Sequence, residues 1–396
     1  EIDLDKFVQH LFGQQNLDIK YEDFYENVFQ YYRSPLDLNK ATRDQLESLY
    51  LLSPLQIQNF IKYRSENGSL LSIYELQVIP GFNENVIESI LPFVKVDDKS
   101  GKKDSRTFWQ QVREEENHYL ITKVERTLEP QKGFIVGDTN NKAFQGDRNK
   151  IYLRYRLYNK ERFSIGLTSE KDQGEALAWN PALRQYGMDF NSAHFALFNK
   201  GKVKSVIVGD YNIQVGQGLV MAAGFYIGKG AETVTTIKRS NSGIKPYTGS
   251  MEFGFLRGVA TTISMGRFDF TSFYSHKNED ANIGGTDTIS FATSIYQTGY
   301  HRSSDELKRK GAILIQTGGG ILSYQTIDKS FKIGINAVYN AFNPEIRKLK
   351  RVYNQFDFNG SENYNIGGDF NYYWQNLNFF AEYSRSRSGE NAVLAG

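Results

Sequence analysis

Cysteine is absent from the chain. That excludes disulfides, thiol nucleophiles and cysteine-based metal sites, and it is compatible with export into an oxidising compartment. Long apolar runs are missing too. No stretch approaches the roughly eighteen continuous apolar residues of a membrane helix, and a mean hydropathy of −0.51 excludes a helical membrane protein. A transmembrane β-barrel survives that value, because its loops and lumen-facing residues are polar and only half of each strand meets lipid. Glu1 in place of Met is read as the start of a mature chain whose targeting segment is gone or lies outside this sequence.

Histidine is sparse. His10, His118, His194, His276 and His301 show no metal-ligand spacing. His194 and His276 are expected on a lumen face beside Asp210 or Asp269, but no G-x-S-x-G nucleophile motif accompanies them. Gly224 to Lys229 places three residues between a glycine and Gly-Lys, where a phosphate-binding loop needs four and a following Ser or Thr. No enzymatic activity, metal or cofactor is expected. Charge of one sign is lacking overall, at a net +2, but residues 1–96 carry eight basic and fourteen acidic side chains. The remaining chain is therefore strongly basic by comparison.

What the chain has in quantity is aromatic residues: 28 Phe, 25 Tyr and 3 Trp in 396 residues. Aromatic girdles at two membrane interfaces require such a supply. The most regular stretch runs from Ile151 to Glu170. Ile151, Leu153, Tyr155 and Leu157 share one face, and Tyr152, Arg154, Arg156 and Tyr158 the other. After a turn at Asn159-Lys160-Glu161, Phe163, Ile165 and Leu167 oppose Arg162, Ser164, Gly166, Thr168 and Glu170. This period of two marks strands with one apolar and one polar face. Arg154, Arg156, Arg162 and Glu170 are expected to line the lumen as a salt-bridge network or pore wall.

Further strands are expected over Tyr119–Leu128, Ala193–Phe198, Val203–Val208, Val259–Met265, Phe268–Ser275, Phe331–Tyr339, Tyr364–Trp374 and Leu377–Tyr383. Gly318-Gly319-Gly320 reads as a flexible or bulged strand. Short turns such as Gly266-Arg267 and Trp374-Gln375-Asn376 alternate with long polar connections such as Lys277–Thr288 and His301–Lys310, the layout of a bacterial outer-membrane barrel. Between Gly209 and Gly258 glycines are dense, which suggests backbone folded into a lumen or strands kinked for close approach. Asn391–Gly396 resembles the first half of another strand, so the natural chain is expected to continue and the last strand to present an open edge.

The N-terminal part reads differently. Residues 1–35 form a helical lead-in, with Leu4, Phe7, Val8 and Leu11 on one face and Phe24, Tyr25, Val28, Phe29 and Tyr32 on another. Residues 36–96 form four short helices: Thr42 with Gln45 and Ser72 with Glu75 are capping boxes, Ser53-Pro54 starts a helix and Asn67-Gly68 ends it. A charged linker at 97–106 leads to a barrel at 107–396. Leu38-Asn39-Lys40-Ala41-Thr42, Ile61-Lys62-Tyr63-Arg64, Tyr74-Glu75-Leu76 and Ile79-Pro80-Gly81-Phe82 resemble the tandem helix-hairpin-helix domain of competence-type DNA-uptake proteins. The glycine spacing downstream resembles bacterial outer-membrane proteins that join such a domain to a β-barrel.

In the first family, hairpin backbone N–H groups meet a DNA phosphate. That resemblance marks Lys62, Arg64, Gly81 and Asn83 as DNA-binding positions. The chain departs from it at the first hairpin, Leu49 to Pro54, which has no glycine, and at Asn83, where a second glycine is usual. Residues 36–96 also carry more acidic than basic side chains, whereas phosphate binding is dominated by positive charge.

The expected fold is thus multi-domain: a helical helix-hairpin-helix domain followed by an antiparallel transmembrane β-barrel of about twelve strands or more. The expected location is the bacterial outer membrane with the N-terminal domain in the periplasm. The expected role is to anchor and present that domain to other outer-membrane or periplasmic proteins, with membrane lipid around the barrel. DNA binding or uptake and a solute pore are the alternatives. Isolated residues 36–96 should bind duplex DNA no tighter than about millimolar at about 150 mM salt, weaker than ordinary non-specific binding. A micromolar constant abolished by Gly81→Val, or by Lys62→Ala with Arg64→Ala, would put DNA first.

Overall fold

Capping and an apolar stripe build the helical part from short pieces. In the computed structural model, which describes residues 28–396 apart from 30, 33–34, 48, 50, 97–105, 136–141, 160–161, 224–237, 240, 242, 287–288 and 376, these are α1 (Arg43–Glu47), α2 (Pro54–Asn67) and α3 (Glu84–Ile90). The third expected short helix, Ile73–Val78, is of the 3-10 type. Thr42 and Gln45 cap each other's backbone, as do Ser53 with Gln56 and Ser72 with Glu75. Leu38, Leu46, Ile57, Phe60, Leu76 and Ile90 form the buried centre, and Val28 joins it. Strands β1 (Leu36–Asp37) and β2 (Val94–Lys95) pair in parallel and bring the two ends of this unit together. The lead-in residues before 28 and most of the expected linker lie outside the described residues.

After the short helix α4 (Phe108–Glu114) the regular structure is mostly strand. In order these are β3 (His118–Arg126), β4 (Asn149–Asn159), β5 (Phe163–Lys171), β6 (Ala178–Asn180), β7 (Gln185–Gly187), β8 (Phe190–Lys200), β9 (Val203–Gln214), β10 (Ala222–Ala223), β11 (Gly243–Pro246) and β12 (Leu256–Met265). Then come β13 (Phe268–Glu279), β14 (Ala281–Thr286), β15 (Ile289–Ile295), β16 (Ile313–Gln325), β17 (Phe331–Ile346), β18 (Gly360–Trp374), β19 (Leu377–Ser386) and β20 (Asn391–Ala395). One 16-stranded sheet takes all of β3 to β20 except the separate β6–β7 hairpin.

Its main path is β20-β19-β18-β17-β16-β13-β12-β9-β8-β5-β4-β3, antiparallel at every step. Sequence neighbours are spatial neighbours, joined by short turns at one end (201–202, 266–267) and long connections at the other (172–189, 215–255, 280–312). Two expectations change here. The polar stretch after Lys277 contains the β14–β15 hairpin, and Gly318–Gly320 pairs on both sides with no bulge; a side chain at Gly319 would collide with the Phe273 ring and the Ala337 carbonyl. Among the described residues β3 and β20 do not pair with each other, so the sheet is not a closed barrel.

Polarity runs opposite to that of a soluble sheet. Arg154, Arg156, Thr168, Glu170, Asp210, Thr271, Asn336, Asp369 and Glu382 are buried on the inner face. Tyr155, Leu167, Val259, Phe270, Ile333, Ile335, Ile366 and Phe370 are exposed on the outer face. The outer band has aromatic borders: Phe331 pairs with Tyr372 near the short turns, and Tyr339 with Tyr364 eight residues along the strands. At about 3.4 Å per residue this spans about 27 Å along the strand. Just past Tyr339 and Tyr364 stands a charged pair, Glu362 with Arg387.

The chain also fills its own interior. After β9 it turns inward, and Val215, Val220 and Ile244 pack on Ala196, Ile207, Ala260, Phe273, Ile321 and Val338. Glu382, on the inner face of β19, accepts backbone N–H bonds from Gln217, from Leu219 at 3.1 Å and from Val220 at 3.1 Å. Successive N–H groups turned onto one carboxylate make an anion nest. Gly367 is required opposite it, since a Cβ there would lie 2.5 Å from Val220.

Glu382→Ala would strand three amides, each costing about 1–3 kcal/mol when buried and unpaired. The segment from 215 to 223 should then become susceptible to protease in the folded protein, while Glu382→Gln retains part of the protection. Unchanged cleavage in Glu382→Ala would mean that apolar packing alone holds the segment.

Candidate functional site

At the first hairpin, the α2 N-terminus that a phosphate would approach is already capped. The Ser53 hydroxyl accepts from Gln56 N–H and the Gln56 side chain accepts from Ser53 N–H. At the second, Gly81 has φ +91°, a conformation that a side chain disfavours. Its carbonyl accepts from Gln56 Nε2 at 2.8 Å, and the Pro80 carbonyl from Asn59. Asn83 is the N-cap of α3 and accepts from Val86 N–H, with Glu84 acidic in the first turn. Arg64 reaches inward to the Leu38 carbonyl and lies over the Phe60 ring; burial lowers its pKa, and the Asp37 charge opposes that. Of the two candidate cations only Lys62 stands in solvent, near Glu66 at 4.0 Å. The four DNA-binding candidates therefore do not converge on one open anion site.

The barrel-wall candidates divide as well. Arg154, Arg156 and Glu170 point inward and are buried, and Glu170 pairs with Lys150, which also meets Asp172 at 2.7 Å. Arg162 instead belongs to the β4–β5 turn, its N–H bonded to the Asn159 carbonyl. His194 is on the inner face, with Nε2 2.9 Å from the Ser164 hydroxyl. Asp210 is committed to Arg257 rather than to His194. His276 stands on the outer face, away from Asp269, which pairs with Lys204. The residues from Gly224 to Lys229 lie outside the described residues.

Two assemblies were not foreseen from the sequence. The first is at the short-turn mouth, where Arg43 of α1 lies 3.7 Å from the centre of the Tyr373 ring and Lys238, from the interior segment, lies 4.8 Å from it. Helical unit, interior segment and sheet thus meet on one aromatic ring.

The second lies beneath the long connections at the opposite end. His301 is flanked by Asp189 at Nδ1 and by Asp280, 2.7 Å from Nε2. Lys310 pairs with Asp189, and Glu175 accepts the backbone N–H groups of His301 and Asp172. Burial would lower the His301 pKa, but the hydrogen bonds and charges of Asp189 and Asp280 raise it to about 10. Burial and then the Asp189 charge push Glu175 up to about 7. For Asp189, burial raises and the His301 and Lys310 contacts lower, and the contacts win.

Residues 33–95 match the family model described as helix-hairpin-helix motif. That part of the chain carries the motif. No curated protein matches the chain. Among solved structures, OpdL of Pseudomonas aeruginosa is similar at 11% identity and a TM-score of 0.27, over 72% of this chain and 64% of that one. OccAB3 of Acinetobacter baumannii is similar at 12% identity and a TM-score of 0.20, over 70% and 67%. The match spans less than two thirds of the length of OpdL, and such scores leave the architecture to be argued from the sheet itself.

The helix-hairpin-helix part and the His301 cluster sit at opposite ends of the sheet, so they can be tested separately. A histidine whose pKa is raised in the fold contributes stability that is complete below its ordinary 6.5 and lost as pH rises through about 10. Glu175, raised from 4.5, contributes in the same direction, complete below 4.5 and lost through about 7. Hydrogen exchange in residues 172–189 and 296–312 should therefore accelerate, beyond its intrinsic pH dependence, from about pH 6 to about pH 10. His301→Gln should remove the upper part of that change. A parent protein with flat protection over this window would show that the ion triad does not hold the loops.

Proposed function

We propose that this chain is a non-enzymatic outer-membrane β-barrel protein that holds its helix-hairpin-helix part at the periplasmic mouth and presents it to other envelope proteins. The carrying observation is the reversed polarity of the sheet: an apolar outer band with aromatic borders and a buried charged inner face. In water such a sheet would expose a large apolar surface and bury its charges. In lipid the same arrangement is the stable one. Short turns face the periplasm in bacterial barrels, and Arg43 stacks on Tyr373 at that end. This supports a periplasmic position for the helical part.

Docking is favoured over DNA binding because the Ser53 and Gln56 amides of the first hairpin and Arg64 are engaged within the fold. An apolar face is available for it: Leu71, Tyr74 and Val78 are exposed on and beside the 3-10 helix. Presentation is favoured over a solute pore because the 215–220 segment packs inside the sheet and is held there by Glu382. The competence-type assignment of the helical part belongs to the DNA-binding alternative.

The protein should fractionate with outer membranes, require detergent and show heat-modifiable gel migration. In planar bilayers it should conduct poorly, and envelope proteins should copurify with the parent chain but not with Leu71→Asp/Tyr74→Ala. Solubility of residues 107–396 without detergent would end the barrel reading. Steady conductance by the parent chain would favour the pore.

A further inference from the structure

On the outer face of β4 and β5 the exposure pattern breaks near the short turn that joins them. Tyr155 and Leu167 are exposed, but Leu157 is 9% exposed and Phe163 is 0% exposed. The cover is α4. Phe108 sets its ring edge-on against Phe163, at 5.6 Å between centroids, and against Phe195 of β8 at 6.1 Å. Both of those rings belong to the outer face, since the inner face of β5 and β8 carries Ser164 and His194. The other end of α4 is pinned beside the β4–β5 turn. There Glu115 accepts from Asn159 Nδ2 at 2.7 Å, and the Tyr158 N–H bonds to the Asn117 carbonyl at 3.1 Å. Phe108, Gln111 and Val112 form the half-buried side of the helix. The opposite side carries Trp109, 76% exposed, with the exposed Arg113 one turn further on. Helix α4 therefore lies against the outside of the sheet and not over its mouth.

Its level along the strands matters as much as its side. Phe163 is the first residue of β5, as Phe268 is of β13 and Phe331 of β17, each after a short turn. At the latter two strands the aromatic border is open: Phe268 packs on Tyr324 and Phe331 on Tyr372, with Phe268 and Tyr372 exposed. On β5 the border ring is covered, and the exposed aromatic at that place is Trp109. A tryptophan ring is amphipathic and collects at the membrane–water interface, where its body meets acyl chains and its N–H meets headgroups and water. We propose that α4 is an interfacial helix that seats Trp109 in the headgroup layer of the leaflet at the short-turn end, with phospholipid as its partner. This role rests on the outer-membrane reading of the sheet and carries it from the strands to a helix outside them. Residues 106–116 hold two basic and three acidic side chains, and Arg106 is paired with Glu114 at 2.9 Å. Insertion of the ring, not attraction to an anionic headgroup, is therefore what holds the helix to lipid. Its depth is expected to be about 5–10 Å into the boundary between headgroups and acyl chains. The consequence is positional. Helix α4 leads into β3, so the chain enters the sheet from a point fixed at the membrane surface, and the helical part is presented beside the leaflet.

The test uses the full chain reconstituted in phosphatidylcholine vesicles, with one tryptophan kept at a time. Trp179→Phe/Trp374→Phe leaves Trp109, and Trp109→Phe/Trp179→Phe leaves Trp374, which is exposed at the open border of β18. Emission is quenched with phosphatidylcholine labelled by nitroxide near the headgroup, with the same lipid labelled near the acyl end, and with aqueous iodide. Trp109 should lose most of its emission to the headgroup label and little to the other two. Phe108→Ala, which loosens α4 from Phe163 and Phe195, should weaken that quenching and leave the quenching of Trp374 unchanged. If Trp374 meets the headgroup label while Trp109 answers only to iodide, the sheet is in lipid and α4 is not. The interfacial role is then overturned and the outer-membrane reading stands. Shielding of Trp109 from all three quenchers would mean that protein covers it, a second copy included, and would overturn the role as well. If neither tryptophan meets a lipid label, both readings fall together.

Discussion

Everything in the sheet depends on which way its alternation faces. Each strand carries an apolar and a polar side, and the fold turns the polar side inward. Arg154, Arg156, Glu170, Asp210, Asp369 and Glu382 are therefore buried, and each needs a partner or a place in a network. Lys150 answers Glu170, Arg257 answers Asp210, and Asn336 donates to Asp369. The outer side has the opposite constraint: nothing polar interrupts the run Ile333, Ile335, Ala337 between the aromatic borders of β17. An apolar outer face and a charged inner face are two consequences of one periodicity.

The interior segment follows from the same constraint. A concave face of charges leaves space that water or protein must occupy, and here the chain occupies part of it. Glu382 can hold the segment because a carboxylate accepts several N–H groups at once, and glycines at 216 and 218 allow the turn that aims them, with φ of +55° and +85°. Through Lys238 and Tyr373 the segment reaches the short-turn mouth, where Arg43 arrives from the helical part. The aromatic ring joins three pieces of chain that are far apart in sequence.

The two ends of the molecule differ in chemistry. At the short-turn end a helix-hairpin-helix part shows exposed apolar residues and a first hairpin whose Ser53 and Gln56 amides are satisfied internally. At the other end long connections are gathered around His301 by charge. The first leaves apolar side chains in solvent, and the second gathers charges beneath the loops.

Much of this was legible in the residues alone. Local rules apply where a residue's partner is a few positions away, so the caps at Thr42, Ser53 and Ser72 and the face pattern of β4, β17 and β18 could be read directly. Strand ends were read short, because pairing with a neighbour extends a strand past the point where its own pattern weakens, as at β9 and β17. The Gly318–Gly320 run looked irregular, yet it pairs in register on both sides, and the Phe273 ring accounts for the missing side chain at Gly319. Glu382, His301 and Tyr373 gave no sign of their roles. Their partners lie from about twenty to more than three hundred positions away, and no periodicity carries that information. Sequence decided which side of each strand is apolar, because that depends on spacing of two. Tertiary structure alone decided which charges meet, because that depends on register and on loops that fold back across the sheet.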